Sequence, residues 1–144
     1  MNEILDTLEK YDFEKANKGD KIIVATLNYG ILQSFMFCTV KSVSSKLGRV
    51  TLDNGLRYSR DGYEYGRESF STNTNLGFSY TKENVEQVNN YLAREAMARK
   101  IMKQRREITK EKLMDMSLDI LMKLNTMIEE VLNRRADNER QLDA

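Results

Sequence analysis

Two hydrophobic rhythms divide this chain. Up to about residue 80, apolar residues come in short runs separated by turn residues; beyond it they recur every three or four positions. Within the first part, residues 2–10 predict a short helix, with Asn2 as its cap and Ile4, Leu5 and Leu8 on one face. A helix this short needs something to pack on. Lys18-Gly19-Asp20 then opens a β region. Residues 21–27, KIIVATL, form a β-branched run that reads as a strand, followed by a turn at Asn28-Tyr29-Gly30 and a long strand over 31–43. Residues 49–53, RVTLD, alternate with period two. Asn54-Gly55 predicts a type I′ hairpin, whose two central residues both need positive φ. Residues 56–60 pair back, Asp61-Gly62 turns, 63–67 continue, and the polar stretch 68–76 is expected to be a loop. Four or five short strands at this spacing predict a small barrel rather than an open sheet, because closure hides strand edges.

The second rhythm is helical. Thr81 is placed to cap a helix, and from Lys82 to about Arg140 there is neither Gly nor Pro. One helix of that length would run about 90 Å, so a break is expected over Arg105–Thr109, with Thr109 capping a second helix. In that second helix Leu113, Ser117, Ile120, Leu124, Met127 and Val131 follow 4-3-4-3-4 spacing, beside a parallel seam of Met114, Leu118, Leu121, Ile128 and Leu132. The joint apolar face is too wide for one narrow contact. It either packs on the barrel within one chain or meets another copy, and a homo-oligomer is the expectation, since an exposed seam of that size is a liability in a monomer. The predicted fold is thus α+β: an N-terminal helix and lead-in (1–17), a small antiparallel β-barrel (18–80), and long C-terminal helices forming a helical hairpin (81–144).

Composition sharpens this division. All seven glycines lie at or before Gly77, and eleven of the twelve aromatics at or before Tyr80; six of the eight methionines follow. The N-terminus, MNEILDTLEKYDFEK, has neither a basic start nor an apolar core, so no signal peptide is expected. No run is long enough to span a bilayer. A single cysteine, Cys38, lies in an apolar run and reads as a core residue; the chain fits a reducing cytoplasm. No histidine is present, which removes the commonest general base and metal ligand. Phosphate-loop, dinucleotide, nucleophile-elbow and zinc-protease motifs are likewise missing. A non-enzymatic chain without metal or cofactor is therefore expected.

The net charge of +1 steers the whole chain nowhere, so any electrostatic function must be local. Between Arg94 and Lys112 eight basic residues face three acidic ones, a local net of +5. The apolar stripe Val85, Val88, Leu92, Ala96 continues at the same angle as Arg99, Lys103, Arg106 and Lys110. That line is either a solvated face or a site for phosphates. In the barrel, Arg49, Arg57, Arg60 and Arg67 lie beside Tyr58, Tyr63 and Tyr65. Arginine next to tyrosine suits stacking on a base and pairing with a phosphate, and equally suits an ordinary barrel surface.

Residues 40–67, VKSVSSKLGRVTLDNGLRYSRDGYEYGR, carry Val40, Val43, Val50, Asp53, Gly55, Tyr58, Arg60, Asp61, Gly62, Glu64 and Gly66 in a pattern that resembles small phage-encoded proteins with an SH3- or KOW-like barrel. In length and layout the chain also resembles counter-defence sponges of the Thoeris anti-defence protein 1 type, which sequester cyclic ADP-ribose-type signals in oligomers using arginines and an aromatic. Phe78, Arg105 and Arg106 are the candidates that this resemblance suggests. The expected function is capture of a phosphate-bearing nucleotide in a host cytoplasm, with Arg99, Lys103, Arg105 and Arg106 taking phosphate, Tyr58, Tyr63 or Phe78 stacking on a base, and Arg57 and Arg60 as further ligand-binding candidates. Two alternatives stand beside it: a KOW-like nucleic-acid-binding transcription modulator, and an inhibitor that docks on a host protein through its helices.

Overall fold

The computed structural model describes residues 3–66 and 72–142, with side chains through residue 134. Arg67 and Asn2, both named above, lie outside the described residues. The chain divides into two units, Met1–Glu95 and Ala96–Ala144.

The first unit is built on five antiparallel strands: β1 (Lys21–Asn28), β2 (Ile31–Ser44), β3 (Arg49–Leu52), β4 (Arg57–Ser59) and β5 (Asn73–Ser79), in spatial order β4-β3-β2-β1-β5. The central strand β1 has a layer on each face, which is why KIIVATL lacks alternation. On one face Ile22 and Val24 pack with Cys38, Val40, Val50, Leu52, Tyr58 and Phe13. On the other, Ile23, Ala25 and Leu27 pack with Phe35 and Phe78, and are covered by Leu8, Val85, Val88, Tyr91 and Leu92. Those covering residues come from the end of the short helix α1 (Glu3–Thr7) and the start of α2 (Lys82–Gln104). The short helix thus finds the partner it needs.

The sheet curls into a half-barrel whose edge strands are tied by side chains. The Tyr58 hydroxyl on β4 donates to the Asn75 carbonyl on β5 at 3.0 Å, across the first core. Phe13, in a single 3-10 turn capped by Asp12, stacks on Tyr58 with ring centroids 4.4 Å apart. The same ring lies against the backbone of Gly77, where a Cβ would come within 2.7 Å of it. Only glycine fits there.

The turns distribute their strain differently from the sequence expectation. Asn28 pairs with Ile31, and Tyr29 and Gly30 both adopt positive φ, so the two-residue hairpin with type I′ character is this one. At Asn54-Gly55 only Gly55 has positive φ. Leu52 donates to the Leu56 carbonyl at 2.8 Å, giving a three-residue loop, Asp53 to Gly55, in place of the expected type I′ turn. Asn54 instead accepts from the Leu56 N–H with its side chain, which favours the looser turn.

Residues 73–76 are strand, not loop. Polar composition misleads there because the Asn75 side chain is spent on contacts to other segments, as in the Thr26 hydroxyl to Asn75 Oδ1 bond of 2.8 Å. One buried amide ties the unit together. Asn84, 2% exposed, accepts from the Glu9 N–H and donates to the carbonyls of Glu9 and Ser79, joining the N-terminal segment, β5 and α2.

The second unit holds the rest of α2, a 3-10 turn (Arg105–Glu107), α3 (Lys110–Met114) and α4 (Leu118–Leu142). The break expected at Arg105–Thr109 is present, and the Thr109 hydroxyl caps α3 through the Lys112 N–H. A second break over 115–117 was not foreseen; Ser117 accepts from the Ile120 N–H there and starts α4. Among its described residues only Leu113, Leu121 and Leu124 are half-buried, and the others are exposed. No helix among the described residues is long and apolar enough to cross a membrane.

Candidate anion-binding face

The β3–β4 ladder pairs Arg49 with Ser59, Val50 with Tyr58, and Thr51 with Arg57. Strand alternation sends Val50, Leu52 and Tyr58 into the core and leaves Arg49, Thr51, Arg57 and Ser59 on the opposite face. Arg49 and Arg57 are diagonal neighbours there, roughly 7–8 Å apart in such ladders.

The segment after β4 folds back along this strand. Ser59 donates to the Tyr63 carbonyl at 2.7 Å, and the Tyr65 N–H donates to the Arg57 carbonyl at 2.7 Å. Tyr65 is thereby set beside the arginines, and the Arg49 guanidinium lies 5.0 Å from its ring centroid, within cation–π range. Glu64 anchors the segment from its other side, accepting from the backbone N–H and side-chain amide of Asn75 at 3.2 and 2.9 Å. Among the described residues no ion pair joins Arg49, Arg57 or Arg60 to a carboxylate. Arg49 Nε is buried without a hydrogen-bond partner. A planar, forked cation held on an aromatic ring and unpaired with a carboxylate among the described residues is suited to an oxyanion such as phosphate.

The residues named from sequence fall into three groups. Arg57 is exposed on this face. Arg60, half-buried in the turn after β4, has its N–H donating to the Gly48 carbonyl at 3.2 Å and its Nη1 buried without a partner. Tyr58 and Phe78, each 1% exposed, are core residues without a free face for a base. Their aromatic mass is used in packing, which their type does not distinguish from stacking on a ligand. Burial, with Glu64 next, pushes the Tyr58 hydroxyl above its ordinary range.

The remaining cations belong to the second unit. Arg99 and Lys103 share a face of α2 one turn apart, whereas Arg105 and Arg106 lie in the 3-10 turn, and Ile108 and Thr109 beyond it are extended. The expected line Arg99-Lys103-Arg106-Lys110 is therefore interrupted, because the helical angle on which it depends ends at Gln104. Arg49 and Tyr65 were legible as a cation beside an aromatic, but nothing in the spacing marked them as the pair that meets. Cys38 is buried, with its thiol pushed up to about 11 by burial and by Asp53, as befits a core residue.

Two clefts of the first unit offer poor surroundings for phosphate. One of about 580 Å³ is lined by Glu3, Glu83 and Glu86 against a single cation, Arg94; the other, of about 260 Å³, lies between Lys10, Asp61 and the edge of Phe13. No protein-family model matches the chain, and neither a curated protein nor a solved structure does.

Proposed function

We propose that this chain is a non-catalytic binding protein that holds a phosphate-bearing nucleotide ligand against the β3–β4 face. The observation that carries this reading is the Arg49 guanidinium, held on Tyr65 beside Arg57 without a carboxylate partner among the described residues. In it Arg49 and Arg57 take phosphate, and the exposed ring of Tyr63 is available to stack on a base. The curled sheet is read as a variant of the SH3/KOW-like barrel, with the C-terminal helices as a hairpin. In the setting that the phage resemblance implies, capture in a host cytoplasm would withdraw a nucleotide signal.

A second reading, binding of a nucleic-acid backbone, is favoured by the exposure of Arg57 and Tyr65 on the same face. Calorimetric titration distinguishes the two. A mononucleotide such as ADP should bind with micromolar affinity and lose about tenfold or more in Arg49→Gln. A single-stranded oligonucleotide binding more tightly than ADP, with affinity falling steeply between 50 and 200 mM salt, would instead select the nucleic-acid reading. Binding of neither would sink both.

A further inference from the structure

The described residues leave one large apolar surface without a partner. Along α4, Leu118, Ile120, Met127, Ile128, Val131 and Leu132 are all exposed, Leu118 at 72% and Val131 at 69%. An isolated helix is marginal in water unless an apolar face is covered. Ile120, Leu124, Met127 and Val131 repeat at 4-3-4 spacing, the a/d seam of a helix pair. Ser117 and Arg134 extend that seam by one step at each end.

Charge selects the occupant and its direction. Two copies running antiparallel place Ile120 against the partner's Val131, Leu124 against the partner's Met127, and Ser117 against the partner's Arg134. Lys123 and Glu130, seven residues apart, occupy the same flanking position on one side of the seam. In this register Lys123 meets the partner's Glu130, and twofold symmetry makes the contact twice. A parallel, in-register pair would set Arg134 against its own copy within the seam, where like charges repel, and would leave Lys123 facing the apolar Ile128. Lys123 already pairs with Asp119 at 3.1 Å, but both groups are largely exposed and that pair is weak, so Lys123 remains available. We infer that α4 forms an antiparallel, twofold-symmetric helix pair with a second copy of this chain, registered by Lys123–Glu130 contacts. The inference is independent of the ligand at the β3–β4 face.

Sedimentation equilibrium on the full chain tests it. The wild type is expected to be dimeric at tens of micromolar. Lys123→Glu and Glu130→Lys, each turning two attractive contacts into two repulsive ones, should weaken the dimer by about tenfold or more. The double variant K123E/E130K should restore it to near the wild-type constant, with helix content by circular dichroism unchanged throughout. A wild type that stays monomeric at several hundred micromolar overturns the inference, and if such a monomer retains a stoichiometric host protein the face belongs to that partner. A dimer indifferent to both single reversals, or one that the double variant fails to restore, overturns the antiparallel register.

Discussion

The two units use the same kinds of apolar residue to opposite ends. In the first, β1 is covered on both sides, and Ile22, Ile23, Val24 and Ala25 are fully buried in succession. In the second, among the described residues, Leu, Ile, Met and Val side chains line helices and stay largely exposed. A curled sheet brings distant strands around a common interior, so a short chain can enclose a core. A helix buries only a stripe, and it needs another element to do so. The first unit thus encloses its own cores, whereas the described apolar side chains of the second stay largely exposed.

The sharpest way to break this contrast is to remove a buried ring. Phe78→Ala should destabilise the first unit by about 3–5 kcal/mol in urea unfolding. Phe78→Leu should keep the fold and leave nucleotide affinity per folded molecule unchanged, which separates a core role from a stacking role. Asn84→Ala should cost about 1–3 kcal/mol, because the Glu9 N–H and the Glu9 and Ser79 carbonyls lose their shared partner. Asn84→Asp recovering full stability would show that the amide donors are dispensable.

Alkaline unfolding probes the same core. The Cys38 thiol is raised from 9.0 to about 11 in the folded state, so the folded state binds its proton more tightly than the unfolded chain does. The linked stability is complete below pH 9 and is lost as pH rises toward 11. The Tyr58 hydroxyl, raised in the same direction, extends the loss to higher pH. Cys38→Ala should flatten the fall between pH 9 and 11, and an unchanged slope would exclude Cys38 as its source. On the ligand face, Tyr65→Ala should reduce affinity for ADP several-fold while moving stability by no more than about 0.5 kcal/mol, the usual range for an exposed position. The smallest effect is expected from α4: Leu132→Ser should leave unfolding of the first unit unchanged within about 0.5 kcal/mol. A larger shift would mean that the helical unit supports the sheet directly.

Much of the fold could be read from local chemistry. The β1 and β2 runs, the turns at Tyr29-Gly30 and Asp61-Gly62, the Thr81 cap and the break capped by Thr109 all depend on residues within a few positions of each other. The misreadings share a cause. β5 looked like a loop because its polar residues are satisfied by partners 49 and 11 positions away, Thr26 and Glu64. Tyr58 and Phe78 looked like ligand residues because an aromatic side chain has the same composition whether it faces a core or a base. The line of cations from Arg99 to Lys110 looked continuous because periodicity assumes an unbroken helix.

By itself, then, the amino-acid order determined an α+β chain with β structure before residue 80 and helices after it, since hydrophobic period and glycine placement act over one or two turns of backbone. Only the tertiary structure decided which aromatics were buried, that Arg49 rather than Arg60 would rest on Tyr65, and that β4 and β5 would be joined through Asn75. These depend on how far the sheet curls and on where the segment after β4 folds back, and both are set by packing between residues remote in sequence.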